Sequence, residues 1–171
     1  MQIIKAPDPR LRAKTKHVKK ITPELLKLSL EMIKFAKTFT DPEGVGLSTN
    51  QIGRCERFFV AKIGEEFAVF FNPEIHTFSP KKKIFFEGCL SIPDYYGETK
   101  RPISTKVSYI NEKGEKITKT LRGISSWIFQ HEVDHMNGIL FMDRVLENKG
   151  KVFKFVGKDK AGSDMFEEIK V

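Results

Sequence analysis

The sequence predicts an α+β fold: antiparallel sheets packed around one central helix, in a single domain spanning residues 1–171. Three observations predict it. Short runs rich in β-branched and aromatic residues recur from residue 57 onward, separated by Gly- or Asn-containing turns. Only two segments carry apolar residues at helical spacing. No linker, internal repeat or low-complexity tract divides the chain. With 40% hydrophobic residues, fifteen Phe among them, there is material for a real core, which excludes a disordered chain.

Taken in order, Ile3 to Arg12 contains Pro7 and Pro9 and is predicted to lie as an extended arm or turn. A first helix starts with Thr22 as N-cap and Pro23 at its first position. Leu26, Leu30 and Ile33, with Leu25 and Met32 beside them, form its apolar stripe, and it ends before Asp41-Pro42. Pro42 to Gly53 is glycine-rich and reads as a loop, the kind of segment that often carries function. Strands are expected at Arg57–Ile63, Phe67–Phe71, Ile84–Phe86, Lys106–Ile110 and Lys116–Leu121, several joined as hairpins. The second helix runs from Gly123 to Asn137, with Gly138 as its stop. Val152–Val156 and Met165–Ile169 alternate apolar and polar residues and close the chain as short strands.

Thirty Lys+Arg against 22 Asp+Glu give a formal net charge of +8, concentrated at Lys14–Lys20, Lys81–Lys83 and Lys149–Lys160. No nucleic-acid motif surrounds these clusters, so specific nucleic-acid recognition is not expected and most of this charge reads as solvated surface. No stretch approaches the ~20 apolar residues of a membrane span, and the N-terminus lacks the pattern of a secretion signal. The expected compartment is the cytoplasm, where Cys55 and Cys89 stay reduced. Cys55 reads as a buried packing residue.

The residues that carry chemistry begin with His131-Glu132-Val133-Asp134-His135. Two imidazoles one helical turn apart face the same side and can share a metal ion. Composition alone would place only about 0.008 copies of this His-Glu-x-x-His pattern in the chain. A zinc endopeptidase completes such a pair with a downstream ligand. Here no later His exists; Glu147, Glu167 and Glu168 are available carboxylates, and Cys89, in Glu87-Gly88-Cys89-Leu90-Ser91, offers a thiolate.

Gly44-Val45-Gly46-Leu47-Ser48-Thr49-Asn50-Gln51, Glu87-Gly88-Cys89-Leu90-Ser91 and Gln130-His131-Glu132-Val133-Asp134-His135 together resemble, in order and spacing, the three signature motifs of peptide deformylases. The Pro7–Arg12 arm is similar to that family's N-terminus, and the resemblance extends from residue 3 to about 145. It implies removal of the formyl group from N-formylmethionyl nascent polypeptides, with release of formate. It further implies that Cys89, His131 and His135 hold one divalent ion, Fe²⁺ being expected and Zn²⁺, Ni²⁺ or Co²⁺ forms arising in purified protein. Glu132 is then the general base, and the Gln51 amide and Leu90 backbone N–H stabilise the oxyanion. Gly46 leaves room for the substrate backbone, and Glu87 is a candidate partner for a ligand imidazole. Val45, Phe85, Ile124, Trp127 and Ile128 are expected to line the methionine pocket.

The sequence departs from the family's pattern at Ser48-Thr49, where two alanines are usual, and at the bulky Trp127. Strand-like alternation in Phe153–Val171 argues against the long C-terminal helix that some relatives use at the ribosome, leaving transient ribosome contact to the basic surface. Two rival functions are a peptide-binding module that has lost activity and an HExxH zinc endopeptidase. An intact Glu132 and Gln51 weigh against the first; the second leaves Cys89 and Gln51 unexplained.

Overall fold

Phe58, Phe59, Val60 and Ala61 are all fully buried, because the strand that carries them has a helix on each face. A computed structural model describes residues 1–40 and 43–170. Helix α1 (Pro23–Ala36) packs Met32 and Ala36 against Phe58, Val60, Val69 and Phe71. Helix α2 (Gly123–Met136) packs Ile128, Phe129, Val133 and Met136 against Phe59, Ala61, Phe70, Val107 and Tyr109. Period-two alternation thus sends odd and even residues of strand β2 (Phe58–Lys62) into two cores.

The sheet between these helices is fully antiparallel. Its order is β1-β2-β3-β6-β7, with β1 at Gly46–Ser48, β3 at Phe67–Phe78, β6 at Ser104–Ile110 and β7 at Lys116–Arg122. A second antiparallel sheet, β4-β5-β8-β9, consists of Lys82–Cys89, Ile92–Pro102, Val152–Lys158 and Asp164–Ile169. A short helix α3 (Phe141–Glu147) seats Phe141 and Val145 beside Val152. Helix α2 therefore lies between the two sheets, as the sequence predicts. Among the described residues no helix is long and apolar enough to cross a membrane.

Thr22 caps α1 as expected, accepting from Leu25 N, with Pro23 next. Of the expected stripe, Met32 is buried and Leu25, Leu26 and Ile33 pack half-buried against the same core, whereas Leu30 is 60% exposed; Ser29 and Ala36 complete the buried face. The expected loop after Pro42 holds β1 and a 3-10 turn at Thr49–Ile52, ended by Gly53 in the left-handed region; Asp41 and Pro42 lie outside the described residues. Strand β3 continues past the expected stop at Phe71 because a register shift between Phe71 and Glu74 accommodates Pro73. Strand β5 and helix α3 are not foreseen by the sequence reading. Cys55 is exposed rather than buried, since it sits in the turn that follows Gly53.

Candidate metal centre

Helix α2 and the end of strand β4 meet at the C-terminal half of the helix. The i, i+4 spacing puts His131 and His135 on one helix face, their ring centroids 4.9 Å apart. Strand β4 ends at Cys89, whose Sγ is 3.2 Å from His135 Nε2. The three ligand atoms lie within 4.8 Å of one another. One thiolate and two imidazoles at this separation fit a single divalent ion: metal–sulfur and metal–nitrogen bonds of about 2.3 and 2.1 Å put tetrahedral ligand atoms roughly 3.5 Å apart, comparable to the spacing here. The alternative carboxylates Glu147, Glu167 and Glu168 are not part of this cluster.

Behind the ligands, His131 Nδ1 is 2.9 Å from Glu87 Oε2, which orients its Nε2 toward Cys89. Glu87 is fully buried and accepts from Thr99 and from Arg101 as well. Arg101 continues to Asp134 at 2.8 Å, and Arg144 reaches Asp134 at 2.7 Å. Burial by itself would raise the Glu87 carboxyl, but His131 and Arg101 hold it well below the usual carboxylate range. Burial likewise presses His131 down, yet Cys89 and Glu87 raise it well above an ordinary imidazole. His135 is pushed well below by burial and by the charges of His131 and Arg101. Its Nδ1 is buried without a hydrogen-bond partner among the described residues.

Glu132 is buried beside the cluster. Burial raises its carboxyl, tempered by His131 and by a bond from Ser48 Oγ, 2.6 Å from Oε2. Gln51 Oε1 accepts from Ser48 N at 2.9 Å, and its Nε2 is 3.0 Å from Ser91 Oγ and 3.4 Å from Cys89 Sγ. A cavity of about 250 Å³ opens here, lined among others by Val45, Gly46, Leu90, Tyr96, Ile124, Trp127 and Ile128, with Gln51, Cys89, His131 and Glu132 in its wall.

A family profile described as polypeptide deformylase matches residues 1–151. The chain belongs to the polypeptide deformylase family. It is 39% identical over 168 residues to a peptide deformylase of Mesorhizobium japonicum, covering 93% of this chain and 94% of that protein. A peptide deformylase of Thermotoga petrophila is 41% identical over 138 residues, 81% of this chain and 82% of that protein. The crystal structure of peptide deformylase from Thermotoga maritima superposes with a TM-score of 0.78 at 39% identity, covering 84% of this chain and 95% of that one. A probable peptide deformylase from Synechococcus phage S-SSM7 gives 0.78 at 34% identity over 84% and 99% of the two chains. The family is metal-dependent, and the Cys89, His131 and His135 group is a site that could hold its ion.

One expectation about the cavity needs correction. Phe85 is not among its lining residues; its ring stacks on Trp127 at 5.2 Å, while Tyr96 from the unforeseen β5 forms part of the wall. Gly46 lines the cavity, and the neighbour that a Cβ there would strike is Glu132 Oε1, so the missing side chain also makes room for that carboxylate. The sequence reading missed Thr99 and Arg101. Their signal was period-two spacing with Gly97, which the surrounding Gly and Pro obscured. A larger cleft of about 720 Å³ lies elsewhere, lined by Arg57, Glu74 and Arg144 among others, and holds none of the three ligands.

Proposed function

We propose that the chain hydrolyses the N-formyl group of N-formylmethionyl polypeptides and releases formate, and that Cys89, His131 and His135 hold the required ion. The observation that carries this reading is one thiolate and two imidazoles grouped beside a buried carboxylate on an apolar-walled cavity. A divalent ion held there supplies Lewis-acid activation of water and of the formyl oxygen. Glu132, in the cavity wall, accepts the proton of the attacking water and returns it to the departing amine. The Gln51 amide and the Leu90 backbone N–H stabilise charge on the formyl oxygen. Val45, Ile124, Trp127 and Ile128 surround the methionine side chain; Ile124, 66% exposed, forms the outer rim of that slot.

Ferrous iron is the proposed resident ion, as the family resemblance implies; one thiolate with two imidazoles suits a borderline divalent metal. The proposed compartment is the cytoplasm, where nascent chains emerge. The net charge of +8 suits transient contact with a polyanionic ribosome surface. No observation favours endopeptidase or binding-module function.

The test is formate release from an N-formyl-Met-Ala peptide by protein purified without oxygen and supplied with Fe²⁺, Ni²⁺ or Zn²⁺, against an N-acetyl control. Metal-dependent release from the formyl peptide alone is the expected result. Metal-loaded protein that releases none contradicts the proposal.

A further inference from the structure

The general base proposed above is held by a residue that takes no part in that reading. Strand β1 points Gly46 and Ser48, two residues apart, to the same side, toward α2. Glu132 lies between them, Oε1 against Gly46 and Oε2 2.6 Å from Ser48 Oγ. The same hydroxyl is 3.3 Å from the Glu132 backbone carbonyl. Ser48 is fully buried and Glu132 nearly so, so water does not compete for the bond. From its backbone, Ser48 N donates to Gln51 Oε1, which leaves the Gln51 Nε2 directed at Cys89 and Ser91.

We propose that Ser48 is a positioning residue for deformylation: its hydroxyl fixes the Glu132 carboxylate in one orientation while its backbone N–H fixes the Gln51 amide. This role rests on the deformylase reading. A glutamate has three side-chain torsions, and ordering them before substrate arrives removes that entropy from the barrier. Because the bond joins the base and not the methionine slot, it acts on turnover more than on substrate affinity. The hydroxyl and the backbone bond are separable, since alanine at 48 deletes the first and keeps the second.

The experiment compares the parent, Ser48→Ala, Glu132→Ala and the double variant, all loaded with the same metal and assayed for metal content. Ser48→Ala is expected to lower kcat about tenfold with KM within about twofold and metal content unchanged. In thermal melts, Ser48→Ala is expected to lower Tm by roughly 4 °C in the parent and by about half that or less in the Glu132→Ala background, where the hydroxyl keeps only the backbone carbonyl of residue 132. An active parent beside a Ser48→Ala variant with unchanged kcat overturns the role of Ser48 while the deformylase reading stands. Equal Tm losses in both backgrounds also overturn it. A metal-loaded parent that releases no formate overturns the deformylase reading, and this role with it.

Discussion

Glu87 ties the metal centre to the rest of the protein. With no exposed surface, it receives Thr99, Arg101 and His131, and its negative charge is matched by a guanidinium that also serves Asp134. Removing one member of a buried ionic set leaves its partners uncompensated, which costs about 3–5 kcal/mol. Arg101→Met is therefore expected to lower stability by that order in urea unfolding. Glu87→Gln keeps the shape but weakens the hold on His131, and about a 10- to 100-fold loss of metal affinity in competition titrations is expected. At the ligands and the base the outcomes separate: Cys89→Ala loses the ion, whereas Glu132→Ala keeps it and loses hydrolysis. Metal at full stoichiometry in Cys89→Ala would contradict the ligand assignment. His131, His135 and Glu132 were legible from their spacing alone. The dependence of His131 on Arg101 was not, because Arg101 belongs to a strand whose pattern is broken by Gly97 and Pro102.

Among the elements, β1 shows how a three-residue strand can matter more than its length suggests. Alanine at Gly46 places a methyl on the Glu132 carboxylate, so Gly46→Ala is expected to displace the base and remove most activity, measured as formate release, while the metal stays bound. Helix α2 stops where the sequence says it should: Gly138 has φ +74°, and a Cβ there would meet the Arg12 carbonyl. The arm that passes this point is pinned to α3 through Arg12 and Asp143, whose other carboxylate contact is Leu140 N at 2.8 Å. Burial works against the Asp143 carboxylate, but Arg12 and Leu140 hold it below its ordinary value of 3.8. A depressed carboxyl contributes stability above that value and loses it as pH falls below. The half-exposed pair contributes under about 1 kcal/mol, so Arg12→Ala is expected to lower Tm slightly at pH 7, by a difference that shrinks as pH falls below the ordinary Asp value of 3.8.

At the scale of the molecule, the two imidazoles ride on a helix packed against the five-stranded sheet, while the thiolate ends a strand of the four-stranded sheet. An ion held by all three would link both halves and favour the folded chain, which brings the three ligands together. At a free concentration about a thousandfold above its Kd, such binding stabilises by about 4 kcal/mol. Chelation is then expected to lower Tm by roughly 10 °C in the parent and to leave Cys89→Ala unmoved in calorimetry.

The sequence by itself determined the α+β class, the cap and start of α1, the extent of α2, the final hairpin and the placing of His131 and His135 on one helix face. Each of these depends on local spacing or on motifs read within a few residues. The tertiary structure decided that Glu87 is buried behind His131, 44 residues away, that Ser48 grips Glu132 across 84 residues, and that Tyr96 rather than Phe85 walls the cavity. Those contacts join segments distant in the chain, so no local periodicity encodes them; they follow from the register of β4 on β5 and from the way β1 meets α2.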